Sequence, residues 1–454
     1  MALWNLPIHQ RITKFVAGTL MLGALIVPAA TVPAAAQTAP ADPACLSGDP
    51  FQFASLRGHL TNPLPPRGVQ RVNAQATVEF IGRGSMVEET PSLPQEPIEA
   101  GDENPVEREN PPASAQTFNV FNTRTQNEFR VVLQAGAVGQ IRECYQRNPD
   151  TQSPIPADFD PTFDQAPAPP QLSFEKADSG GGVISHGWSN ASDQRVLRSD
   201  TEAYPLSAIS QFRYSQNNHD SGCTGTLIGP RHLVTAAHCI NKSGTNTWYT
   251  VHVTPGKDGA GTGTAQQPFG SSRLTPTTPD ALYWTYPQWR DPNQSNRSRW
   301  DIGFIVLPDR LGDLAKWMDI APRTSSQIRS YDNYNRGYPN CFGDGLTRGN
   351  RPANCQEARL YGDPNDCGAR YFVNLDSDGW ARRYDVKCDI SAGHSGSPVY
   401  HYETINNKSR AVLSSVIITE ECFTCSKLNT YVNTVRRVTP TVYDRSVAIR
   451  EMLP

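Results

Sequence analysis

The sequence has almost no excess charge: 41 Lys and Arg stand against 44 Asp and Glu, for a net charge of −3 over 454 residues. Without a basic excess there is no broad electrostatic footprint for nucleic acid. Apolar runs long enough to cross a membrane are also missing. The stretch from Phe15 to Val27 is short of the roughly 20 residues a spanning helix needs. The mean hydropathy of −0.51 argues against an integral membrane protein as well. From about Val183 on helical periodicity is scarce, and only the last residues, Tyr443 to Met452, carry it.

What the chain does have is 10 cysteines, 38 prolines and 34 glycines. An even cysteine count at this density suits an oxidising compartment, where disulfides persist. The N-terminus agrees. Arg11 and Lys14 precede the apolar run, and Ala34-Ala35-Ala36 stand before Gln37. A basic region, an apolar core and an Ala-x-Ala site predict a signal peptide over residues 1–36 and a secreted product, extracellular or periplasmic. No membrane span is expected after its removal.

Residues 37–148 are expected to be a small β-rich segment. Alternation is partial at 76–81 (ATVEFI) and 129–133 (FRVVL), and an acidic, proline-rich run from Glu88 to Pro112 reads as flexible. Pairing of Cys45 with Cys144 would staple the segment, for about 4–5 kcal/mol in the chain-entropy model. A prosegment acting within its own chain is preferred over an independent binding domain. Residues 149–182 are a Pro- and Gly-rich linker ending in Ser179-Gly180-Gly181-Gly182, where a protease could nick the chain and leave a mature N-terminus near Val183. From 183 to 454 short β-type runs alternate with Gly, Pro and Asn, the pattern of an all-β sandwich or barrel.

The chemistry is concentrated at 389–399 (DISAGHSGSPV), where Gly393 and Gly396 flank Ser395. A serine hydroxyl is a weak nucleophile and needs a base, which a third group must orient. The base is His238, at the end of 221–239 (SGCTGTLIGPRHLVTAAHC). That stretch reads as a strand at 226–228, a turn at Gly229-Pro230 and a strand at 232–235. Cys223 and Cys239 bracket this hairpin, and a disulfide there would hold His238 in place for roughly 3 kcal/mol.

Thr235-Ala236-Ala237-His238-Cys239 followed by Gly393-His394-Ser395-Gly396 resembles the trypsin/chymotrypsin superfamily of serine proteases. The segment is most similar to the secreted bacterial glutamyl endopeptidase-like branch. Further matches in family order are Asp193 to Val196 with Asp200 to Pro205, Cys223 to Pro230, Pro255 to Gly259 with Pro268 to Gly270, and Gly337-Tyr338-Pro339. The resemblance covers about Val183 to Val442. It implies two six-stranded antiparallel β-barrels of the chymotrypsin type with a C-terminal helix, and a serine endopeptidase made as a precursor and acting on proteins or peptides. It requires no metal and no organic cofactor.

The orienting acid is expected at Asp301, heading the apolar run 302–307 (IGFIVL); Asp309 and Asp313, which follow a proline, are the alternatives. The backbone N–H groups of Gly393 and Ser395 would form the oxyanion hole. The gap between His238 and Asp301 is longer than this branch shows, and the surplus is assigned to surface loops over 283–299.

Two departures stand out. The trypsin-like branch keeps, directly before the nucleophile, an Asp that pairs with the new N-terminal amine; here that residue is His394. Glutamyl endopeptidases read the substrate carboxylate partly with a histidine after the nucleophile, and this chain has none after His401. The specificity pocket therefore falls to Asp389, Ser414 and Ser415, with substrate preference open. Cys341 with Cys355, Cys367 with Cys388 and Cys422 with Cys425 are expected disulfides. Asp376-Ser377-Asp378-Gly379 reads as a surface turn rather than a calcium loop, His219 and His232 as surface or packing residues, and His252 as half-buried. A relative of this fold lacking one of the three side chains would bind proteins without cutting them; here all three residue types are present.

Overall fold

The computed structural model describes residues 53–89, 91, 105–107, 112–147, 159, 161, 195–214, 221–278, 281–341, 355–364, 366–375, 379–422 and 431–453. The signal peptide, Cys45, His219, Asp376 to Asp378, most of the 149–182 linker and the Cys422–Cys425 pairing lie outside the described residues or their described side chains; within the linker Phe159 is placed, its ring packed against Tyr204 and Tyr402.

Two sheets carry the chain, antiparallel throughout except where Asp319–Ile320 joins the second in parallel. The first has 11 strands in the order Val69–Arg71, Ala76–Arg83, Asn127–Leu133, Gln116–Asn122, Leu282–Thr285, Gly303–Val306, His232–Thr235, Ser221–Leu227, Ile209–Arg213, Val251–Pro255 and Ser272–Leu274. The second has 9 strands and runs from Ala369–Leu375 through Ala381–Val386, Tyr431–Arg437, Lys408–Cys422, Pro398–Ile405, Tyr334–Gly337 and Leu360–Gly362 to Val196–Arg198, with Asp319–Ile320 added beside Lys408–Cys422. Fully buried Val, Ile, Leu and aromatic side chains fill one core against the first sheet and a smaller one inside the second. The fold is all-β with a C-terminal helix, Pro440–Met452. Thr439 caps that helix by accepting from the Val442 N–H, and Pro440 sits where a missing N–H costs nothing. Among the described residues no helix is long and apolar enough to cross a membrane.

The N-terminal strands are not a separate unit. Gln116–Asn122 pairs antiparallel with Leu282–Thr285 in the register Phe121 to Tyr283 and Val120 to Trp284, so the first sheet runs unbroken into residues 69–133. Ser85–Val87 also pairs, in parallel, with Thr247–Tyr249. Phe118 meets Trp284 edge-on and Phe121 stacks on Trp248. Buried charges reinforce the joint. Glu128 accepts from Trp248 Nε1 at 2.6 Å and from Arg290 Nη1 at 2.7 Å, and Arg142 Nε donates to Asp444 of the C-terminal helix at 2.6 Å.

Two expectations are corrected here. Only part of 283–299 is surface loop: Asp291 to Asn293 and Ser295 are exposed, but the stretch before them is not. Leu282–Thr285 is a buried strand with Tyr283 and Trp284 at 0 % exposure, and Pro287–Arg290 is a short helix burying Trp289. The reason is the N-terminal neighbour, which covers an edge that would otherwise face water. Nor is the 88–112 run flexible throughout. Glu107 is buried against Arg437 and accepts from the backbone N–H of Ser325 at 2.7 Å and of Ala381 at 3.2 Å. Burial alone would raise its carboxyl; its hydrogen bond and charge pairing with Arg437 prevail and hold it below the ordinary range.

Candidate active site

His238 lies in a single helical turn, Ala237–Cys239, just past the His232–Thr235 strand. That strand pairs with Gly303–Val306 in the register Thr235 to Gly303. Asp301 stands two positions before Gly303 and His238 three after Thr235, so antiparallel pairing delivers both to the same end of the sheet. Asp301 is fully buried and both its oxygens are used on one residue. Oδ1 accepts from the His238 backbone N–H at 2.8 Å, and Oδ2 lies 2.7 Å from Nδ1. A carboxylate at that distance fixes the proton on Nδ1 and leaves Nε2 to act as a base. Nε2 is buried and finds no hydrogen-bond partner among the described residues. The Cys223–Cys239 disulfide closes across the same corner.

Ser395 sits in the turn that precedes the Pro398–Ile405 strand of the second sheet. Thr224, adjacent to Cys223, ties this turn to the histidine side. Its N–H donates to the Ser395 carbonyl at 2.8 Å, its hydroxyl donates to the Gly393 carbonyl at 2.8 Å, and its own carbonyl accepts from Thr235 Oγ1 at 2.8 Å. Cys239 Sγ lies 3.6 Å from the Ser395 carbonyl oxygen. The turn needs its glycines. Gly393 has φ +98° and Gly396 φ +81°, and a Cβ would strike the Tyr338 carbonyl at the first and Thr235 Oγ1 and the Thr224 carbonyl at the second.

The backbone donors of the turn divide into two groups. His394 N–H goes to the Ser391 carbonyl at 3.0 Å, Gly396 N–H to Ile417 at 2.7 Å and Ser397 N–H to His394 at 2.8 Å. The N–H groups of Gly393 and Ser395 donate to no group of the described residues. Two such donors beside a serine hydroxyl can hold a developing oxyanion.

Below the turn lies a buried polar cluster. His394 is fully buried; burial, and then the charge of Arg195, push its ring well below the ordinary histidine value, so it is neutral. Arg195 Nη1 donates to Ser391 Oγ at 2.8 Å and faces His394 Nε2 at 3.2 Å. His394 Nδ1 faces Asn335 Oδ1 at 3.1 Å, and Asn335 Nδ2 donates to Ser397 Oγ and to the Pro398 carbonyl, each at 2.8 Å.

Of the pocket candidates, Asp389 is buried and its N–H donates to Asp363 Oδ2 at 2.6 Å. Burial, then the Asp389 carboxylate, push Asp363 well above the usual carboxylate range. The Ser414 hydroxyl donates to the Val399 carbonyl at 3.2 Å, and that of Ser415 to Tyr384 Oη at 2.7 Å, so both face inward. Cys341–Cys355 and Cys367–Cys388 are disulfides. Among the described residues two clusters of metal-ligating types occur, Cys223, His238 and Cys239, and Asp363, Cys367 and Cys388. Their sulfurs are bound in disulfides and supply no thiolate. His232 is a packing residue and His252 a half-buried one.

Sequence reasoning passed over Arg195, Asn335 and Thr224 as site residues. Thr224 and Arg195 lie in recognised motifs, but a threonine in a strand and an arginine before one carry no chemical signal on their own.

Known proteins share parts of this sequence. Residues 199–405 match the family model described as Trypsin, so that stretch is similar to trypsin-like serine protease domains. More narrowly, it is similar to the glutamyl endopeptidase of Bacillus licheniformis, 30% identical over 149 residues, covering 33% of this chain and 41% of the relative. It is also similar to a Bacillus subtilis protein named extracellular metalloprotease, 26% identical over 149 residues, covering 32% of this chain and 43% of the relative. The chain thus spans about two fifths of the length of these curated relatives. Among solved structures, a Glu endopeptidase in complex with MPD aligns at a TM-score of 0.39 and 17% identity, over 57% of this chain and 97% of that one.

Proposed function

We propose that this chain is a secreted serine endopeptidase that cuts peptide bonds through Ser395, His238 and Asp301. The observation that carries the reading is the pairing of an Asp-held imidazole, with Nε2 open, and a nucleophile turn whose N–H groups at 393 and 395 are uncommitted. In this reading Ser395 Oγ attacks a peptide carbonyl while His238 Nε2 takes its proton. Asp301 stabilises the imidazolium that forms, and the two N–H groups bind the oxyanion. His238 then protonates the leaving amine, and water repeats the sequence on the acyl-enzyme. The Ser395 hydroxyl makes no hydrogen bond to Nε2 in the free protein, and catalytic contacts of this kind tighten when substrate arrives.

Secretion is supported by the signal-peptide pattern and the disulfides. We further infer that residues 53–147 remain docked as part of the folded enzyme, because their strands continue the sheet that carries His238 and Asp301. The likeness to glutamyl endopeptidases is not extended to an acidic substrate preference, since the chain has no histidine after His401 and holds Asp389 in the pocket region. The test is hydrolysis of a quenched peptide library by the purified chain. Wild type should cut, and Ser395→Ala should lose about a millionfold in kcat. Undiminished cutting by Ser395→Ala would refute the assignment.

A further inference from the structure

We propose that Arg195 is an internal brace for the nucleophile turn, positioning the Gly393 and Ser395 N–H groups from beneath with no need for a newly cut N-terminus. The proposal rests on the serine hydrolase reading above and adds a residue to it. One chain of hydrogen bonds, its directions fixed by chemistry, links the cation to the turn. A guanidinium has donors only, so Nε2 of His394 must accept from Arg195 Nη1. The buried ring is neutral, so its one proton sits on Nδ1 and is donated to Asn335 Oδ1. That leaves the Asn335 amide nitrogen to donate, as observed, to Ser397 Oγ and the Pro398 carbonyl. Arg195 also donates to Ser391 Oγ. One cation therefore ties the turn at 391, 394, 397 and 398, on both sides of Ser395.

The brace acts through packing that leaves little slack. Arg195 is 6 % exposed and His394 0 % exposed. Gly337 passes so close to His394 that a Cβ there would sit 2.9 Å from Nδ1. Arg195 is itself held by the strand that follows it, since Val196–Arg198 pairs with Leu360–Gly362, which pairs in turn with Tyr334–Gly337. Removal of this cation would leave Nε2 of a buried neutral ring unpaired, and the turn would relax to find another donor. The two oxyanion N–H groups would then lose their alignment. The cation comes from a side chain downstream of the linker at 149–182, so cleavage there neither creates nor removes it.

The experiment compares wild type, Arg195→Ala and Arg195→Lys. Each chain is held uncut as verified by mass, with folding followed by thermal melting. Both peptide hydrolysis and labelling by a fluorophosphonate are measured. The expected result is a labelled, uncut wild type. Folded Arg195→Ala should fall about a hundredfold in kcat with little change in KM, and millimolar guanidinium should restore part of the loss. Arg195→Lys, which keeps the charge and reaches one acceptor instead of two, should fall in between. If Arg195→Ala does not fold, Arg195→Lys decides, and a wild-type kcat in that variant overturns the brace. Wild-type rates in both variants overturn it as well, as does an uncut wild type that reacts only after cleavage in the linker. A wild type that reacts in neither form overturns the hydrolase reading, a separate failure.

Discussion

The two sheets hold the two halves of the site in different ways. On the first sheet the histidine arm is a closed circuit: both Asp301 oxygens face His238, and a disulfide pins the corner. On the second sheet the serine arm is deliberately incomplete in hydrogen-bonding terms. Its turn is tied at 391, 394, 396 and 397, yet the N–H groups at 393 and 395 donate to nothing among the described residues. Buried backbone donors are nearly always paired, so an unpaired couple beside the candidate nucleophile marks where a ligand atom would belong. The difference teaches that one arm is built to be rigid before substrate arrives and the other to be completed by it.

The comparison can be broken at the closed arm first. Asp301→Asn should lower kcat by about ten-thousandfold, because an amide cannot accept from both His238 N–H groups and turns the imidazole toward the wrong tautomer. Steady-state kinetics on a peptide substrate check this, and a loss below tenfold would show that the circuit is not needed.

A smaller effect tests how far the first sheet depends on its N-terminal strands. Glu128→Ala removes the acceptor of Trp248 Nε1 and leaves the Arg290 guanidinium, with a side chain only 10% exposed, without its carboxylate, holding only the Thr245 carbonyl through Nε. Breaking such a pair from one side costs about 3–5 kcal/mol. Denaturant unfolding should show that loss with kcat per folded molecule unchanged. An unaltered midpoint would mean that residues 53–147 contribute little to the sheet.

The smallest expected effect concerns acid. Burial first, then the nearby Arg450 charge, holds His232 of the first sheet at about 3. A depressed histidine favours the neutral folded form, so the unfolded chain takes up the proton first as pH falls below the ordinary value of 6.5. The stability this ring contributes is present above that value and lost on the way down to about 3. The melting-temperature gap between wild type and His232→Gln should therefore narrow from pH 7.5 toward pH 4. A constant gap would argue against a buried neutral ring.

Much of the site was legible in sequence because it is carried by short motifs. The 235–239 and 393–396 stretches name their own residues, and Asp301 follows from its place at the head of an apolar strand. The short strands and the C-terminal helix were legible from local pattern as well. What was not legible depends on partners far away in the chain. Tyr283 and Trp284 look like loop aromatics until Val120 and Phe121 are seen pairing beside them. Glu107 looks like part of a solvated acidic run until Arg437 is placed against it. Arg195 precedes a strand as a surface arginine would, and only the fold brings it beneath His394.

The central claim is that Ser395 is a nucleophile served by His238. Reaction of the purified chain with a fluorophosphonate, followed by mass mapping of the modified peptide, tests it most directly. The account predicts one adduct, on Ser395, formed slowly or not at all in His238→Ala and absent in Ser395→Ala. An unmodified wild type, or an adduct that survives in Ser395→Ala, would contradict it.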